Sequence, residues 1–165
     1  MHYADIIFGI IGKYLFTNKS NSIPYKVLLD LAKAEYVSKE VVDAFLKSQI
    51  IVDYYYDTES RVFVEYELYR DFIVSKYLID SVSSFDELKA IVQKRMLVLD
   101  DHLSLQRHEV IGYFATLSVL AKEKYNKEII DFLSILPTTD SFGFYYMMDL
   151  FPNILMLITG VRIMI

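Results

Sequence analysis

Three groupings in this 165-residue chain carry residue types that could do chemistry, and spacing decides each of them. Gly9-Ile10-Ile11-Gly12-Lys13-Tyr14 has the glycines and lysine of a phosphate loop. Such a loop needs four residues between its glycines and a Ser or Thr after the lysine, so that backbone N–H groups and a hydroxyl reach phosphate and magnesium. Two residues and a tyrosine stand there instead, inside a helical apolar pattern, which excludes ATP hydrolysis by this chain alone. His108-Glu109 begins like a zinc-binding helix, but Gly112 occupies the place of the second histidine. Asp100, Asp101, His102 and His108 include metal-ligand types, but nothing in their spacing fixes a geometry, and a solvated connector is the expected reading. The chain contains no G-x-S-x-G and no cysteine, which removes an esterase-type serine elbow, a thiolate nucleophile and a thiolate metal site. The expectation is a non-enzyme with no catalytic residues, no metal and no cofactor.

Composition narrows the remaining classes. Apolar residues make up 54% of the chain, with 14 Tyr and 11 Phe, which calls for a dense core or for surfaces built to meet a partner. The net charge of −5 argues against holding a phosphate backbone as the main task. The opening MHYADIIFGIIGKYLF lacks a basic start and a cleavage site, and Asp5 interrupts it. Together with the missing cysteines this sets a cytoplasmic expectation.

The elements follow from periodicity. Tyr3, Ile6, Ile7, Ile10, Ile11, Tyr14 and Leu15 lie on one face of a first helix, and Thr17 to Asn21 is a polar break. Ser22 is placed to cap a second helix, with Pro24 in its first turn and Val27, Leu28, Leu31 and Ala32 on its apolar face. Ser38 caps a third, with Val41, Val42, Phe45 and Leu46 as its stripe. Ile50–Tyr56 and Arg61–Tyr66 are β-rich runs flanking Asp57-Thr58-Glu59-Ser60, the pattern of a hairpin. Leu68, Tyr69, Phe72, Ile73 and Tyr77 then recur at helical spacing, so that this stripe is expected to be buried.

Three helices, a hairpin and a further helix is the layout of a winged helix. Within it, E-L-Y-R-D-F-I-V-S-K-Y-L resembles the winged-helix segment of STAND-class NTPases, including the NACHT group, where the line runs F-x-H-x-L-F-R-D-Y-x-A-A-x-Y-L. Leu68, Arg70, Asp71, Tyr77 and Leu78 match, Tyr69 and Phe72 are aromatic replacements, and Ser75 stands for a small residue. The resemblance covers residues 22–80 and implies structural roles for those positions. In relatives that switch on nucleotide, a histidine, often within M-H-D, contacts the bound diphosphate. The matching triplet here is Glu65-Tyr66-Glu67, so Tyr66 holds the nucleotide-sensing position by resemblance. A tyrosine cannot become cationic and its acidic neighbours repel phosphate, so a packing role at the strand end is expected instead.

Ser81 to Ser84 reads as a boundary, and Ser84 with Glu87 fits a capping box. The next helix aligns Leu88, Ile91, Val92, Met96 and Leu99. Another, capped by Ser104, aligns Val110, Ile111, Phe114, Leu117 and Ala121, and a third from Asn126 carries Ile129, Ile130, Leu133 and Leu136 up to Pro137. Residues 154–165 are almost wholly apolar but too few to span a bilayer, which favours a buried helix or one from a longer array over insertion into a membrane.

The expected fold is therefore mainly α: a winged-helix domain over residues 1–82, then an α-helical array or bundle over 83–165. The resemblance implies a non-catalytic regulatory, sensor-side segment of a STAND/NACHT-like NTPase. Its partner would be an NTPase module in cis or another protein chain, in signalling or defence. The alternative is a stand-alone winged-helix adaptor or transcriptional regulator that dimerises through its helices. Lys39 and Lys47 against Glu40 and Asp43 leave the third helix neutral, and the wing carries Asp53, Asp57 and Glu59 against Arg61. This is not the charge of a DNA reader.

Overall fold

The structure, a computed structural model, describes residues 3–95, 116–127 and 131. Asp100, Asp101, His102 and His108, the cap at Ser104, and the apolar run 142–165 lie outside the described residues. The chain divides into two compact units, Met1–Tyr77 and Leu78–Ile165.

The first unit opens with helix α1 (Tyr3–Asn18), which buries Ile7, Ile11 and Leu15, one residue per turn as its periodicity demands. Strand β1 (Ser22–Pro24) follows, then α2 (Tyr25–Ala34), α3 (Lys39–Lys47), the hairpin strands β2 (Ile51–Tyr56) and β3 (Glu59–Val64), and α4 (Glu67–Ser81). The strands form an antiparallel sheet of order β1-β3-β2. Ile23, Ile51 and Val62 point to its core side, where they are fully shielded alongside Leu28, Ala32 and Val42 from the helices. The mainly helical character with a β-hairpin is thus present.

Several expectations require correction. Ser22 does not cap α2: it is a strand residue opposite Phe63, and α2 starts from Pro24. A three-residue strand has no periodicity of its own and exists because β3 offers it a ladder. The hairpin turn is shorter than expected, two residues rather than four. Glu59 and Ser60 pair with Tyr56 and Tyr55, and Asp57 takes a φ of 60°, a left-handed conformation that Asp tolerates better than most residues.

The third correction concerns α4. Its buried residues are Asp71, Ile73, Val74, Ser75, Leu78 and Ile79, while Leu68, Tyr69 and Phe72 are exposed. Only Ile73 of the expected stripe is buried outright, and Tyr77 is half-buried. Gly12 of α1 marks where the two helices approach closely. A Cβ at position 12 would lie 2.6 Å from the Ile73 carbonyl oxygen and 3.0 Å from Tyr77 Cβ, so the absence of a side chain there lets α1 and α4 touch backbone to side. Phe16 adds a ring contact with Tyr77 at 6.2 Å, and Phe8 meets Phe45 of α3 edge-on at 5.7 Å.

In the second unit, α5 (Phe85–Arg95) begins with the expected cap. The Ser84 hydroxyl accepts from the Glu87 N–H at 3.2 Å, while the Glu87 carboxylate reaches the Ser83 N–H at 2.9 Å, one residue upstream of the usual reciprocal bond. Leu88 and Val92 are buried, as are Leu117 and Ala121 on helix α6 (residues 116–125). Asn126, expected to begin a helix, sits past the end of α6 with φ 53° and donates its N–H to the Lys122 carbonyl, the role of a C-terminal stop. Lys124 and Tyr125 both donate to the carbonyls of Ile79 and Val82, supplying a cation and a hydroxyl to the end of α4. Among the described residues no helix is long and apolar enough to cross a membrane.

Candidate interaction surface

The residues singled out around α4 separate into two sets with opposite environments. Tyr66 sits at the helix entrance, where its carbonyl accepts the Arg70 N–H at 3.0 Å and its side chain is 61% exposed. Leu68, Tyr69 and Phe72 follow it outward at 50%, 46% and 39% exposure. Arg70 and Asp71 turn the other way. Their side chains retain 13% and 8% of their exposure and face each other with Nη2 to Oδ1 at 3.5 Å. Leu78, further along, is fully buried. The motif therefore combines a shielded ion pair with an apolar face turned to solvent. Leaving a Leu, a Phe and two Tyr exposed together at one helix start forgoes the burial that would stabilise a solitary domain, and such clusters mark places where other molecules bind.

A second aromatic group lies on the wing. On β2, Tyr54 and Tyr56 share the outer face with Arg61 and Glu59 of β3, and Tyr54 stacks edge-on against Phe63 at 5.8 Å. Tyr55 faces the other way and donates its hydroxyl to the Thr58 carbonyl at 3.2 Å. All three tyrosines are exposed.

Of the cations on α3 and the wing, Arg61 is held by the fold and Lys39 lies in a surface ion pair, while Lys47 is exposed. Arg61 donates from Nε to the Ser22 hydroxyl at 2.8 Å and from Nη2 to the Ser22 carbonyl at 3.2 Å, and its Nη1 pairs with Glu59. Lys39 on α3 lies 3.6 Å from Asp43. Asp43 also accepts the Tyr25 hydroxyl at 2.5 Å, which with Lys39 holds its carboxyl below the usual range. Burial, the bond to Asp43 and the charges of Asp43 and Asp53 push the Tyr25 phenol up to about 12. The Ser38 hydroxyl, at the N-cap of α3, bonds Glu40 and lowers its carboxyl rather than closing the helix end itself.

Among the described residues no group of three or more His, Asp or Glu side chains is placed to hold a metal ion. Sequence reasoning missed the β1 strand and the Ser22–Arg61 link it creates. The one available signal was Ile23 before Pro24, since a residue preceding proline is biased towards extended backbone. Comparison of the chain with known protein families, with curated proteins and with solved structures returned no match.

Proposed function

We propose that this chain is a non-catalytic regulatory module whose first unit is a winged helix acting through protein contacts, as the sensor-side segment of a STAND/NACHT-like NTPase. The observation that carries the reading is the division of residues 66–78. Arg70, Asp71 and Leu78 are built into the interior, while Tyr66, Leu68, Tyr69 and Phe72 form an apolar face outside it. That face is what a winged helix keeps for a neighbouring domain. Two further features support the reading: the element order α1-β1-α2-α3-β2-β3 with strand order β1-β3-β2, and the pairing of Lys39 with Asp43 and of Arg61 with Glu59. Tyr66, expected to pack at the strand end, is instead exposed, and with Glu65 and Glu67 beside it offers a contact surface rather than a phosphate site.

The test is co-expression of the chain with the phosphate-loop NTPase module encoded beside it, followed by affinity capture. The expected result is a complex lost in a Leu68→Asp/Phe72→Asp variant that keeps its helical circular dichroism. An adjoining coding sequence with no NTPase module, or capture indifferent to the double substitution, refutes the reading.

A further inference from the structure

The two edges of the small sheet are treated differently by the sequence. The β1 edge is three residues long and ends in Pro24, and both shortness and proline discourage pairing with another strand. The β2 edge has neither device. It spans six residues, Ile-Val-Asp-Tyr-Tyr-Tyr, with no lysine, no proline and a single charge.

The ladder shows which backbone groups this edge offers. Glu65 N–H donates to the Ile50 carbonyl at 3.1 Å, making 50 and 65 a hydrogen-bonded pair. Antiparallel pairs alternate, so Val52, Tyr54 and Tyr56 also bond inward to Phe63, Arg61 and Glu59. The N–H and C=O groups of Asp53 and Tyr55 therefore point away from the sheet, on a stretch whose side chains are exposed.

We propose that β2 is a homodimerisation edge, where two copies pair antiparallel about a two-fold axis at Tyr54 and join their sheets into one. The register follows from charge. An outward-pointing residue must face an outward-pointing residue of the partner strand. Centring the axis on Asp53 sets two Asp53 carboxylates opposite each other, and centring it on Tyr55 sets Asp53 opposite Asp57; both are destabilised by like charge. Centring it on Tyr54 places each Asp53 opposite a Tyr55 and forms two hydrogen-bonded pairs. It also brings the two Tyr54 rings together as the close, non-hydrogen-bonded pair, and sets Tyr56 across from Val52. The single acid of the strand selects the register in which the tyrosines meet. This contact uses a different surface from the α4 face and does not depend on the NTPase reading.

The test uses the full chain in analytical ultracentrifugation with hydrogen–deuterium exchange. Wild type is expected to dimerise with rising concentration, with the Asp53 and Tyr55 amides gaining protection in the dimer, whereas Tyr54 and Tyr56 are protected in both states. Tyr54→Lys and Tyr54→Glu each set like charges across the axis and are expected to weaken the dimer about tenfold or more. Mixing the two variants is expected to restore a heterodimer, a result that also requires both to be folded. Tyr55→Pro removes an outward N–H without taking a backbone ladder bond from the hairpin, and is expected to abolish dimerisation while leaving the circular dichroism intact; Tyr55→Phe, which loses only the hydroxyl bond to the Thr58 carbonyl, is expected to dimerise like wild type. A chain that stays monomeric at about 0.5 mM overturns the proposal. So does a dimer that ignores both Tyr54 substitutions and Tyr55→Pro, or Tyr54 variants that fail to recombine.

Discussion

Two glycines of α1, three residues apart, give opposite answers to the same substitution if α1 and α4 pack as described. At Gly9 a new Cβ meets nothing within 4 Å. Gly9→Ala then collects only the helix-propensity gain, about 0.5–1 kcal/mol. At Gly12 the same Cβ would stand 2.6 Å from the Ile73 oxygen, well inside ordinary van der Waals contact, and the obstacle is backbone that cannot rotate away. Gly12→Ala gains the same propensity but forces the two helices apart, an overpacking cost of about 1–3 kcal/mol. The difference between the two variants isolates the close approach at about 1–3 kcal/mol. Urea unfolding followed by far-ultraviolet circular dichroism reads this as a separation of midpoints of about 1–3 M, taking a slope of about 1 kcal/mol/M for a unit of this size. Gly9→Ala moves the midpoint up, and Gly12→Ala brings it below that of Gly9→Ala. Equal stabilisation by both substitutions would refute the close approach of α1 and α4 at Gly12.

The inverted stripe of α4 predicts a contrast between neighbours. Ile73→Ala, at 2% exposure, should cost about 2–5 kcal/mol, whereas Leu68→Ala, half-exposed, should change thermal stability by no more than about 0.5 kcal/mol. The Tyr25–Asp43 bond predicts two pH limits. Because the folded phenol is raised above its ordinary value of 10 to about 12, its contribution is fully present below pH 10 and is lost as pH rises through about 12. Phenolate absorbance should show a late-titrating step that is absent in Tyr25→Phe. Asp43 is depressed, so its contribution is present above the ordinary carboxylate range and falls away as acid protonates it. Carbon-detected titration of Asp43 should return towards the ordinary value in the same Tyr25→Phe variant.

Much of the local structure was legible before any coordinates. The stripe Ile7, Ile11 and Leu15, the existence of a hairpin between the two β-rich runs and the Ser84–Glu87 cap depend on residues close in sequence and follow from spacing, whereas the two-residue length of the turn does not. The strand β1 was not legible, because three residues acquire extended structure only from the ladder that β3 provides. The face of α4 was not legible for a different reason. Apolar residues occur on both sides of that helix, Leu68, Tyr69 and Phe72 on one and Ile73, Val74 and Leu78 on the other. Periodicity reports a spacing but not which side meets the core when both sides qualify. Its turn towards the interior follows the side that holds Arg70 against Asp71 and lets Ile73 reach the bare backbone of Gly12. The residues available for contact were thus fixed by the sequence, and the choice of which of them remain exposed was made by tertiary packing, because burial depends on what lies across the helix as well as along it.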